Sequence, residues 1–140
     1  MSALANRRKV LLAVVACPLL AYARPAYAGS YLDRAAMLVG IANLELSYLR
    51  RKLYDSELAR TLQKLAAARV TAAQSMEVPP EVVQAHPHLL LMLEDCERAT
   101  NAAVERNAEE FLKFQRAARS EEEHFRAVLK QLGWQLPAFP

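Results

Sequence analysis

A chain of 140 residues with only two cysteines is long enough for one self-sufficient core, and its composition excludes a disulfide scaffold, a collagen-like repeat and a low-complexity segment. The formal charge of +3 is unevenly spread: Arg7, Arg8, Lys9 and Arg24 lie in the first 28 residues, which hold no acid, and removing these four from 18 basic residues leaves 14 against 15 acidic ones. The remainder is close to neutral, which argues against a basic nucleic-acid footprint.

The N-terminal segment has the layout of an export signal. Three cations end at Lys9, an apolar run follows from Val10 to Tyr22, and Ala26 and Ala28 supply the small residues a signal peptidase accepts. Residues 1–28 are therefore expected to be a signal peptide cut after Ala28, with a cut after Ala23 as the alternative site. The run falls short of the roughly 20 residues of a membrane span, so no stable span is expected after cleavage. The destination is periplasmic or secreted. The alternatives are a membrane tether through an uncleaved signal or through a lipidated Cys17, which sits in a relaxed lipobox, Val14-Val15-Ala16-Cys17. Arg7 and Arg8 leave Sec and twin-arginine export both open. Once Cys17 is removed, Cys96 is the one remaining thiol, and its place on an apolar helix face predicts a buried, inert side chain.

Residues 29–140 are expected to form one domain. Leu32, Ala35, Val39, Ala42, Leu46, Leu49 and Leu53 recur at three-four spacing and predict a first helix over about 31–54. Arg50, Arg51 and Lys52 suit its negative C-terminal end. Asp55 and Ser56 offer a turn and an N-cap, after which Leu58, Leu62, Leu65, Ala68, Ala72 and Met76 predict a second helix over about 56–77. Pro79 and Pro80 end it. Pro87 suits the first turn of a third helix over about 88–106, striped by Leu89, Met92, Leu93, Cys96, Ala99, Ala103 and Val104. Asn107 is expected to terminate that helix in the left-handed conformation. A fourth helix over about 108–132 follows, with Phe111, Ala118, Phe125 and Leu132 seven residues apart and Phe114 and Val128 between them. Gly133 closes it, and Trp134, Leu136 and Phe139 form an apolar tail expected to lie across the bundle end. Four helices of similar length joined by short connections predict an all-α fold, an antiparallel up-down-up-down four-helix bundle preceded by a signal peptide.

Chemistry-bearing residues are few. Glu121 and His124 form a Glu-x-x-His pair on one side of the fourth helix, where carboxylate and imidazole can converge on a transition metal. Glu45 on the first helix is the further carboxylate near a seam, and Arg69 is the expected ion-pair partner of Glu121 if no metal is present. His86 and His88 flank Pro87 and could share a surface ion. No Ser-His-Asp set can be assembled and Cys96 has no base on its own face, so an enzyme is not expected.

An export signal, a four-helix bundle, a methionine early in helix one (Met37), a histidine late in helix four (His124) and a double proline after an alanine-rich second helix together resemble the small periplasmic b-type cytochromes. The resemblance implies a non-covalently held haem b with Met37 and His124 as axial ligands. On the helix-one register, however, Met37 points away from the seam of Leu32, Val39 and Leu46. Without a Cys-x-x-Cys-His, covalent haem is excluded. The leading expectation is an exported, non-enzymatic binding or structural protein without cofactor. It would meet an unknown protein partner, or a second copy of itself, through Met37, Leu38, Ile41, Leu44 and Tyr48. The alternative is a haem-binding electron carrier or a carboxylate/His metal-binding bundle.

Overall fold

A computed structural model describes the backbone of residues 17–140 and the side chains of residues 28–140. The charged start and most of the apolar run of the expected signal lie outside the described residues. So do the side chains of Cys17, Arg24 and Ala26. Among the described residues no helix is long and apolar enough to cross a membrane.

Four α-helices and one short 3-10 turn make up the fold, with no strand among the described residues: α1 (Cys17–Arg50), α2 (Ser56–Gln74), the 3-10 turn (Pro80–Val82), α3 (His86–Val104) and α4 (Ala108–Gln131). They pack closely as a helical bundle. The expected break between the first two helices is present, and Asp55 makes it: its carboxylate accepts from the Leu58 amide at 3.0 Å, satisfying one of the orphan N–H groups that open α2. Pro87 sits in the first turn of α3, where its missing N–H costs nothing. α1 runs unbroken through Ala28 and starts upstream of the expected 31.

Between α3 and α4 the chemistry differs from expectation. Arg106, at φ 58°, is the left-handed residue, and Asn107 instead caps α4 by accepting from the Glu110 amide at 3.1 Å. An Asn side chain can satisfy an N-terminal donor and an Arg cannot, so the capping role falls to Asn107 and the strained backbone to its neighbour. Gly133, at φ 86°, ends α4 as expected.

The core is centred on α3, which packs most extensively against α4 and α2. Leu89, Met92, Leu93, Cys96, Ala99 and Ala103 are buried, as the sequence stripe predicts. On α4, Phe111, Ala118 and Phe125 are buried, but Leu129 replaces Leu132 as the fully buried residue of the last turns. A straight helix explains this. Leu129 lies five turns from Phe111 at 3.6 residues per turn, while a strict seven-residue repeat carries Leu132 about 60° off the seam.

The face of α2 is also corrected. Ala59, Leu62, Ala66, Val70 and Ala73 point inward, whereas Leu65 is 45% exposed and Ala68 and Ala72 are exposed. Alanine on the inward side lets the α2 backbone come close to α3, which a row of leucines would prevent. On α1, Leu32, Ala35, Val39, Ala42, Leu46 and Leu49 are buried as expected, and Met37, Leu44 and Tyr48 stand exposed on the opposite side.

The tail packs on the bundle. Leu136 is buried, and a Cβ built at Gly40 would stand 2.2 Å from the Phe139 ring. Gly40 is thus the gap on α1 into which Phe139 seats. Gly40→Ala is expected to displace Phe139 and cost about 1 kcal/mol through overpacking. In a Phe139→Ala background the same change becomes neutral or stabilising by roughly 0.5–1 kcal/mol, because alanine is the better helix former. Urea unfolding of the four proteins measures both.

Candidate metal centre

Pro87 starts α3 one residue before His88, which places that imidazole in the first turn, on the face that continues through Met92 and Asp95. Late in α4, Glu121 and His124 share one side of the helix. Across the α3–α4 contact these three side chains converge. His88 Nδ1 is 2.9 Å from Glu121 Oε2, His124 Nδ1 is 3.7 Å from the same oxygen, and one ligand atom from each lies within 4.8 Å of the others. The two imidazole rings have centroids 5.5 Å apart and planes tilted by 58°. Metal–nitrogen and metal–oxygen bonds of about 2.0–2.2 Å set neighbouring ligand atoms of a tetrahedral ion roughly 3.3 Å apart, a value the two measured separations bracket. Small rotamer changes would bring all three onto one ion.

The surroundings are half wet. His88 and Glu121 are partly buried and the His124 side chain is 59% exposed. Two turns along α3, Asp95 is buried and its carboxylate accepts from the Arg98 guanidinium in an ion pair at 3.1 Å. Burial raises its carboxyl above the usual carboxylate range, Arg98 opposes this, and the charge of Glu121 adds to the rise.

Glu121 and His124 come together as the Glu-x-x-His spacing requires. His88 joins them and is the residue the spacing did not supply; its signal was the Pro87 helix start, which fixes the direction of position 88. The expected pairing of Glu121 with Arg69 is not formed. Arg69 pairs with Glu45 instead, because α2 lies against α1 and α3 and has no extensive contact with α4. Glu45 is thereby engaged with a guanidinium on another part of the bundle. Met37 is 44% exposed on the outer side of α1. Cys96 is buried with its thiol pushed up to about 12, chiefly by desolvation, which fits the expected inert side chain.

His86 diverges from His88. Its Nε2–H donates to the Ala73 carbonyl at 3.1 Å, so Nδ1 is left to accept from the Tyr31 hydroxyl at 2.9 Å. One neutral imidazole thus ties α1 to the end of α2. Burial lowers its pKa below 6.5, against the smaller raising effect of the Ala73 bond. In the window below 6.5 the unfolded chain binds more protons than the folded one, so this contribution to stability is complete above 6.5 and is lost as pH falls toward the folded pKa. Urea midpoints measured from neutral to mildly acid pH are expected to fall in the wild type and to fall less in His86→Gln.

No protein-family model, curated protein or solved structure matches this chain.

Proposed function

We propose that this chain is an exported, non-enzymatic metal-binding protein. It is an antiparallel up-down-up-down bundle that leaves the cytoplasm on a signal at 1–28 and reversibly holds one divalent transition-metal ion through His88, Glu121 and His124. The observation that carries the reading is the convergence of these three side chains from two helices. Two imidazoles and one carboxylate suit Zn2+, Cu2+ or Ni2+ and are poor ligands for Mg2+ or Ca2+.

Three protein ligands and an exposed His124 leave coordination positions to water, which favours exchange of the ion with solvent over a sealed structural site. A periplasmic carrier or buffer fits that exposure. The antiparallel arrangement is supported by contacts that join opposite ends of successive helices. His88 at the start of α3 meets Glu121 late in α4, and Arg106 just past α3 reaches Ser56 at the start of α2 at 3.3 Å.

The full chain, expressed in a bacterium and recovered from the periplasm, would be weighed by native mass spectrometry before and after one equivalent of Zn2+. The expected result is a mass beginning at Gly29 that gains one zinc. A chain retaining residues 1–28 overturns the export reading, and a mass unchanged by zinc overturns the metal reading.

A further inference from the structure

A second site lies on the other side of the same turns of α4. The backbones of α1 and α4 hardly approach one another, and where the tail no longer fills the space between them a cleft of about 320 Å3 remains open. That is the lower end of the roughly 300–1,000 Å3 typical of small-molecule sites. Asn43 and Ser47 line it from α1, and Gln115, Arg119, Glu122 and Glu123 from α4.

Gln115 is the first pointer to a ligand. It is only 9% exposed, and its amide makes no hydrogen bond to any described residue, while no fully sealed side-chain nitrogen or oxygen lacks a partner. The amide therefore opens into the cleft. Water entering the cleft can bond this amide, and a ligand polar group that takes the place of that water keeps the bond while adding its own contacts to the cleft walls.

Charge gives the ligand its class. Glu122 is already engaged, accepting from Asn43 Nδ2 at 2.5 Å and pairing with Arg126 at 2.9 Å. Arg119 and Glu123 stand one turn apart on the same wall and make no ion pair with each other or with any described residue. The wall thus offers one free cation and one free anion beside the free amide of Gln115 and the hydroxyl of Ser47. Leu46 and Ala118, both buried, add an apolar patch at the same place. A ligand complementary to this set carries a carboxylate, an ammonium and a short carbon body.

We propose that the α1–α4 cleft binds a free α-amino acid, its carboxylate on Arg119, its ammonium on Glu123, and the Gln115 amide bonded to one of its polar ends. The proposal does not rest on the metal site, and its test is run in EDTA so that the two fail separately. The chain purified as it is exported would be titrated calorimetrically with each of the twenty free amino acids. At least one is expected to bind. Arg119→Ala and Glu123→Ala, both exposed positions that leave the core untouched, are each expected to weaken that binding at least about tenfold, the loss of one charge-assisted hydrogen bond. The N-acetyl and methyl-ester derivatives of the bound amino acid, each lacking one charge, are expected to lose affinity to a similar degree. The proposal is overturned if none of the twenty binds, if the derivatives bind as tightly as the parent, or if both charge variants retain wild-type affinity while circular dichroism shows them folded.

Discussion

His88→Ala is expected to reduce zinc affinity by at least about 100-fold, since loss of a group that merely orients a ligand already costs 10–100-fold. The same substitution removes only a partly exposed hydrogen bond to Glu121, so its cost in stability is expected to stay below about 1 kcal/mol. This combination distinguishes a ligand from a structural contact. Isothermal titration with Zn2+ beside urea unfolding reads both quantities on the same preparation. His124→Ala is expected to behave alike, because its ring is the most exposed of the three and packs least. Met37→Leu is expected to leave zinc affinity unchanged. Equal affinities in wild type and His88→Ala would remove His88 from the site, whatever Glu121 and His124 do.

Arg69→Met is expected to destabilise the fold by about 2–3 kcal/mol, the largest effect of any polar substitution in the bundle. Arg69 and Glu45 retain only 12% and 20% of their side-chain exposure, so removing the guanidinium leaves a largely buried carboxylate without a partner. The residual exposure of Glu45 places the cost below the 3–5 kcal/mol of a fully buried broken pair. Arg69→Met combined with Glu45→Leu is expected to recover most of the loss, because two apolar chains of similar size need no partner. Denaturant midpoints of the four proteins form a double-mutant cycle. A double variant as unstable as the sum of its singles would show that the two side chains act independently.

Residue chemistry alone located much of the candidate site and missed what depends on which helices are neighbours. Glu121 and His124 could be paired from their spacing, because three residues along one helix fix the relative direction of two side chains. Arg69 could not be assigned, since Glu45 and Glu121 both interrupt apolar stripes and nothing in their local pattern says which helix faces α2. His88 was legible as a position in a first turn but not as a partner of Glu121. Nor was the fate of His86, one residue before Pro87, where a rotation of about 200° over two helical positions sends one imidazole toward Tyr31 and the other toward α4.

The sequence by itself determined the four helices, the break at Asp55, the closing turn at Gly133, the buried faces of α1 and α3, and the tail against the bundle. All of these follow from local periodicity and from residues whose backbone or capping chemistry acts within one turn. Only the tertiary structure decided the inward face of α2, the exchange of Leu132 for Leu129, the Arg69–Glu45 pair, the convergence of His88 with Glu121 and His124, and the cleft behind Gln115. Each depends on the rotation of one helix about its axis relative to another. A shift of a few tens of degrees, too small to alter any three-four pattern, is enough to change which side chains meet.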